Sequence, residues 1–126
     1  MAGLTIRICG TEPVSWGQNP RTDQWRGIVA QKARELINDF PRPDPLTEFH
    51  VALIFFLTRN NSDLDNLAKP VLDTLFHPRN AQVNDANLTG ALFPNIDDPQ
   101  VFDLSLKKRI VKTIEQAGID IFVSWQ

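Results

Sequence analysis

The most constraining feature of the chain is the unbroken apolar run V-A-L-I-F-F-L at residues 51–57. A run of this kind, without polar alternation, is typical of a strand that is buried on both faces. It is far too short to span a membrane. We therefore expect a central strand over residues 48–58 with both faces covered. The polar stretch R-N-N-S-D-L-D-N follows directly and predicts a turn at the exit of this strand.

The remaining pattern predicts a single α+β domain over residues 1–126. Alternating or helix-spaced apolar residues predict strands at 4–9, 101–106 and 119–125, and helices at 22–40 and 67–76. The element order is then β-α-β-α-β-β, a four-stranded mixed sheet with two helices packed on it. A polar, turn-rich segment at 77–96 is expected to form a long loop. For residues 110–117 a helical turn and an irregular return stay open.

The expected location is the cytoplasm. No apolar segment is long enough to cross a membrane, and no secretory signal is visible at the N-terminus. Cys9 is the only cysteine, so it has no internal disulfide partner. It lies in an alternating apolar segment, and we expect a buried structural thiol.

Two carboxylates stand where the central strand ends. Asp63 and Asp65 are two residues apart, which places both on the same side of an extended segment. Like charges this close favour a divalent cation between them, and Mg²⁺ or Mn²⁺ prefers carboxylate oxygen. The alternative is that Asp63 caps a turn and that Asp65 or Asn66 caps the following helix. If Asn66 is the N-cap, Pro70 is the fourth helical residue, where its missing N–H removes no helical hydrogen bond.

Lys69 is a cation in the first turn of the predicted helix, where the helix dipole disfavours positive charge. An anionic ligand such as a phosphodiester would account for it. The alternative is an ion pair with Asp73, one helical turn further on.

A second pair of aspartates, Asp97 and Asp98, precedes the strand predicted at 101–106. If that strand lies beside the 48–58 strand, either carboxylate could reach Asp63 and Asp65 and complete a three-carboxylate site. The alternative is a simple turn before Pro99.

Basic residues are clustered although the net charge is −2. One group contains Arg21 and Arg26, and the other is the run Lys107, Lys108 and Arg109. Either group could contact phosphate groups, or could form the solvated face of a helix or a strand.

The two acidic motifs together resemble a known family. The stretch D-L-D-N-L-A-K-P-V-L-D, followed by D-D-P-Q-V-F-D-L-S-L-K-K, resembles the RusA-type Holliday-junction resolvases. The resemblance implies a homodimer that binds branched DNA, specifically four-way junctions, and makes paired nicks with Mg²⁺ or Mn²⁺.

The resemblance also implies roles for individual residues. Asp63, Asp65 and Asp98 are expected to hold the metal and carry catalysis, with Asp85 as the second choice for Asp98. Lys69 would contact the scissile phosphate. Asn66 and Asp97 would support the site. The expected DNA contacts are Arg21, Arg26, Lys107, Lys108 and Arg109. The alternative function is a RusA-like binding or interaction module with weak or no catalysis.

Overall fold

The computed structural model describes residues 2–17, 20–37, 43–44, 46–77, 88–97 and 100–125. The elements, in chain order, are β1 (Ala2–Cys9), α1 (Pro20–Ile37), β2 (Phe49–Leu57), α2 (Leu64–Leu75), β3 (Phe76–His77), β4 (Phe93–Asp97), β5 (Val101–Ile110), a 3₁₀ turn (Ile114–Gln116) and β6 (Gly118–Trp125). Within these ranges no helix has the length and apolar character needed to cross a membrane.

The predicted α+β fold is confirmed. The four-stranded sheet has the order β1-β6-β2-β5, and its strands and the two helices follow one another as β-α-β-α-β-β. Strand β2 lies parallel to β5 and antiparallel to β6, so the sheet is mixed. The short strands β3 and β4 form a separate parallel pair between α2 and β5, which the sequence did not predict. The 3₁₀ turn answers the question left open for residues 110–117.

Strand β2 occupies a central position, but only one of its faces is covered. Its odd-numbered residues from Phe49 to Leu57 are buried, whereas His50 is exposed and Ala52, Ile54 and Phe56 are half-buried. The buried residues share one core with apolar residues of α1 and α2. The prediction that both faces are covered is therefore wrong, because the two helices contribute to a core on one side of the sheet.

Strand β1 shows the same one-sided burial. Leu4, Ile6 and Ile8 point into the core, whereas Cys9 belongs to the alternate set and is exposed. The prediction of a buried thiol is wrong because the period of two along a strand places Cys9 on the opposite face from Ile8.

The end of the predicted 77–96 loop is part of the core. Residues 91–93 are buried, and the backbone N–H groups of Ala91 and Leu92 donate to the carbonyls of Thr74 and Leu75 at 2.8 and 3.1 Å. These bonds satisfy carbonyls that the last turn of α2 leaves without an intrahelical partner. Phe93 packs into an aromatic cluster with Phe49, Phe76 and Trp125. Residues 78–87 lie outside the described residues.

Gly118 allows β1 and β6 to approach each other. A Cβ atom at this position would overlap the carbonyl oxygen of Ile8 in the neighbouring strand. We therefore expect Gly118→Ala to lower the free energy of unfolding by about 3 kcal/mol or more. The measurement is denaturant-induced unfolding followed by circular dichroism.

The matched control is Gly27→Ala in α1, where an added Cβ would have nothing within 4 Å. This change should raise the free energy of unfolding by roughly 0.5–1 kcal/mol, because alanine is the better helix former. Equal effects of the two substitutions would contradict the β1–β6 register.

Candidate functional site

The two aspartates at the exit of β2 form the start of α2. Asp63 is the N-cap, and its carbonyl oxygen accepts the backbone N–H of Leu67 at 3.0 Å. The helix therefore begins before Asn66, and the prediction of Asn66 as the N-cap is wrong. The Asp63 carboxylate makes no capping hydrogen bond to a described residue. Asp63, Asp65 and Asn66 are all exposed, so their side chains are open to a ligand from solvent.

Pro70 connects this helix to the loop after β1. Because α2 begins at Leu64, Pro70 lies in the helix interior and not in the first turn, as was predicted. A proline there has no N–H for the carbonyl of Asn66, four residues earlier. The backbone N–H of Trp16 donates to that carbonyl instead, at 2.7 Å. The Asn66 carbonyl, which has no donor within the helix, thus attaches α2 to the loop that carries Trp16.

Lys69 is held by two neighbours. Its Nζ lies 3.4 Å from Oδ2 of Asp73 and 4.9 Å from the centroid of the Trp16 ring. The predicted alternative, an ion pair one turn along the helix, is therefore present. The Lys69 side chain is still 53% exposed. Its ammonium group can reach an anion in solvent, although its position in the helix does not require one.

A cleft of about 660 Å³ lies beside this helix start. Its walls are the loop after β1, the beginning of α1, the turn after β2 and the 3₁₀ turn; they include Trp16, Arg21, Arg59, Ser62 and Ile114. Arg21 and Arg59 are both exposed. The cleft therefore offers two guanidinium groups and one indole ring next to the Asp63–Asp65 pair.

The turn after β2 is attached to the loop after β1. The carboxylate of Glu12 accepts the backbone N–H of Thr58 at 2.9 Å and its hydroxyl at 3.0 Å. These bonds stabilise the wall of the cleft that lies between the two loops.

The basic run of β5 ends next to the acidic pair. Since β5 is parallel to β2, Lys107, Lys108 and Arg109 lie beside the exit of β2. Nζ of Lys108 donates to the carbonyl of Ser62 at 3.0 Å, one residue before Asp63. The cations of this run are exposed. Cations from β5 and from the cleft thus lie near Ser62, the residue before Asp63.

Asp97, the described residue of the second acidic pair, lies at the other end of the sheet. Strand β5 does pair with β2, as expected, but Val101 pairs with Phe49 at the start of β2. Strand β2 has 9 residues, so its ends are roughly 26 Å apart at about 3.3 Å per residue. Asp97 pairs with His77, just beyond the far end of α2.

The prediction that Asp97 reaches Asp63 and Asp65 within one chain is therefore wrong, because the parallel direction of β5 separates them. Asp98 and Asp85 lie outside the described residues, so their predicted roles stay predictions. In the part of the chain that the structure describes, no group of three or more His, Cys, Asp and Glu side chains is arranged to hold a metal.

Arg26 belongs to the core and not to the surface. Its side chain is buried, with Nε donating to Oγ1 of Thr74 at 3.0 Å and Nη2 donating to the carbonyl of Leu88 at 2.7 Å. Oγ1 of Thr74 in turn donates to the carbonyl of Pro70 at 2.7 Å. Arg26 therefore connects α1, α2 and the segment before β4, and the predicted DNA contact is not available to it in this fold.

Trp16 and Arg59 are site residues that the sequence reasoning missed. Trp16 stands in a loop rich in glycine and proline, and no local period singles it out. Arg59 directly precedes N-N-S-D, so its closeness to the acidic motif was a usable signal.

Comparison of the chain with models of known protein families and with curated proteins gives no match in either case.

The structure predicts different outcomes for substitution of Arg21 and of Arg26 in α1. Arg26→Leu should lower the free energy of unfolding by about 2–4 kcal/mol, because the buried Oγ1 of Thr74 and the part-buried carbonyl of Leu88 both lose their charged donor. Arg21→Leu is the matched control at an exposed position and should leave stability nearly unchanged. Urea-induced unfolding measures both. A fully stable Arg26→Leu protein would contradict the structural role of this residue.

Proposed function

We propose that this chain is a divalent-metal-dependent endonuclease that acts on branched DNA, with four-way junctions as the substrate implied by its resemblance to the RusA-type resolvases. The observation that carries the proposal is the exposed Asp63–Asp65 pair, with Lys108 and the arginines of the cleft near the preceding residue, Ser62. Hydrolysis of a phosphodiester needs carboxylates for a metal and positive groups for the phosphate oxygens.

Asp63 and Asp65 fit part of a metal site for Mg²⁺ or Mn²⁺. They supply hard carboxylate oxygens at the start of α2, and such ions complete their coordination with water. Asp98 is the proposed third ligand. Because the described backbone separates Asp97 from this pair within one chain, we propose that Asp98 comes from the second chain of a homodimer. The bound ion would act as a Lewis acid on the scissile phosphate.

The remaining groups of the site would bind and orient the DNA. Lys69 would exchange its exposed contact with Asp73 for a phosphate oxygen. Arg21 and Arg59 would contact phosphates along the cleft, and Lys108 would do so from β5. The indole of Trp16 offers a surface on which an unpaired base at a branch point could stack. The net charge of −2 does not oppose this, because binding depends on the local cations.

A RusA-like binding module without catalysis is the second candidate. Two observations favour it: the described residues provide only two carboxylates at the site, and Lys69 already has an anionic partner. Such a module would bind branched DNA through the same cations, without any requirement for metal.

Cleavage of a labelled synthetic four-way junction separates the two candidates. The nuclease should produce nicks with Mg²⁺ and none with EDTA. Asp65→Asn should slow nicking by about 100-fold or more, because it removes a charged metal ligand. Asp44→Asn is the control, since it removes one charge from an exposed aspartate elsewhere.

Junction binding by the wild-type protein without metal-dependent nicks would support the module. Equal metal-dependent nicking by Asp65→Asn and the wild-type protein would contradict the assignment of Asp65 as a metal ligand.

The salt dependence of DNA binding tests the cleft. Arg59→Gln should weaken junction binding and reduce the slope of log K against log salt concentration by about 1, because one phosphate contact is lost. Arg7→Gln is the control, since Arg7 lies on β1, where it pairs with Asp120. Fluorescence anisotropy at several salt concentrations measures the slope. An unchanged slope for Arg59→Gln would remove this residue from the interface.

A further inference from the structure

Glu12 places a negative charge in a cleft whose other charged groups are cations. It lines the same cleft as Arg21 and Arg59. By charge alone, a carboxylate there repels phosphate groups and weakens the binding of DNA. Among the described residues Glu12 accepts hydrogen bonds from Thr58 and forms no ion pair. The presence of this carboxylate in the cleft therefore needs a reason other than charge.

The bonds to Thr58 satisfy a donor that the sheet leaves open. The pairing of β2 ends at Phe56 with β6 and at Leu57 with β5, so the backbone N–H of Thr58 lies beyond both ladders. Oε1 of Glu12 accepts this N–H at 2.9 Å, and Oε2 accepts the Thr58 hydroxyl at 3.0 Å. A side chain of the loop after β1 thereby fixes the residue that directly precedes Arg59.

The loop after β1 also carries Trp16, and Glu12 attaches the middle of this loop. The N–H of Gly10 donates to the carbonyl of Ala117 at 2.8 Å, and the N–H of Trp16 donates to the carbonyl of Asn66 at 2.7 Å. These two bonds hold the ends of the loop segment. The bonds from Glu12 connect the part between them to the end of β2. They therefore set how far the wall that carries Trp16 lies from the opposite wall.

We propose that Glu12 is a positioning residue for DNA binding. Its carboxylate holds the loop after β1 against the end of β2, so that Trp16 and Arg59 meet the DNA from fixed positions. This inference rests on the proposed function, because it concerns the same cleft. A preformed cleft loses less conformational entropy when it binds its ligand. This advantage outweighs the repulsion between the Glu12 carboxylate and the phosphate groups.

Two substitutions of Glu12 separate its geometry from its charge. Glu12→Gln removes the charge but keeps the attachment, since the amide oxygen accepts the N–H of Thr58 and the amide N–H donates to the hydroxyl oxygen. It should bind a labelled four-way junction about twofold more tightly than the wild-type protein, because the repulsion is lost. Glu12→Ala removes the same charge together with the attachment. It should bind the junction about tenfold more weakly than the wild-type protein.

Glu115→Ala is the control for charge alone. Glu115 is exposed on the 3₁₀ turn, next to the cleft residue Ile114, and it has no hydrogen bond or ion pair with a described residue. Its removal should strengthen junction binding slightly, as Glu12→Gln does. Fluorescence anisotropy without divalent metal measures binding while cleavage is prevented. Junction binding by Glu12→Ala that is as tight as that of Glu12→Gln would overturn the proposal.

The fluorescence of Trp16 gives a readout that needs no DNA. Trp16 is 43% exposed, whereas Trp25 and Trp125 are 2% and 4% exposed, so acrylamide quenches mainly Trp16. Glu12→Ala should raise the quenching constant and shift the emission to longer wavelength, because the loop is held less closely. Glu12→Gln should leave both unchanged. Trp16→Phe identifies the part of the signal that belongs to Trp16.

The two readouts distinguish failure of this inference from failure of the proposed function. A wild-type protein that does not bind the junction would contradict the proposed function, and the fluorescence of Trp16 would still test the attachment. Identical quenching and emission in Glu12→Ala and the wild-type protein would overturn the role of Glu12, because its carboxylate would then not hold the loop.

Thr58→Val tests the same attachment from its other side. Circular dichroism checks that each variant is folded, and this variant serves if Glu12→Ala does not fold. It loses the hydroxyl bond but keeps the N–H bond, so junction binding should weaken by about threefold. Unchanged binding together with unchanged quenching of Trp16 would count against the proposal.

Discussion

The parallel pairing of β2 with β5 is the contact on which the rest of the structure depends. Strand β2 has apolar residues buried at every second position, and the turn at residues 58–62 leads from its end to the Asp63–Asp65 pair. Because β5 runs in the same direction, its basic end lies beside these carboxylates and its beginning lies beside Phe49. One register therefore brings cations to the acidic pair and keeps Asp97 at the opposite end of the sheet.

The position of the loop that carries Trp16 depends on Pro70 in α2. Pro70 leaves the carbonyl of Asn66 without its helical partner, and the N–H of Trp16 takes that place. A hydrogen bond of this kind contributes about 1 kcal/mol. The same contact places the Trp16 ring against Lys69. Pro70 weakens the helix, but the hydrogen bond that it leaves open positions the Trp16 ring beside the ammonium group of Lys69.

Local patterns in the sequence predicted the strands and helices well. They predicted less well how these elements pack and which residues they bring together. Alternation identified β1 and β6, and the apolar run identified β2, because burial on a strand has a period of two. The acidic pair was placed correctly at the exit of β2.

The direction of β5 could not be read locally, since it depends on the crossover through α2. The burial of Arg26 also depends on distant partners, Thr74 and Leu88. The one-sided covering of β2 depends on where the helices pack.

The central claim is that the start of α2 is the metal-binding end of the sheet. Titration of the isotope-labelled protein with Mn²⁺, followed by amide NMR spectra, tests this claim most directly. Paramagnetic broadening should begin at residues 62–66 and at the indole signal of Trp16, and Asp65→Asn should weaken it. Broadening that begins at the Phe49 end of the sheet, or that is the same in Asp65→Asn, would contradict the account.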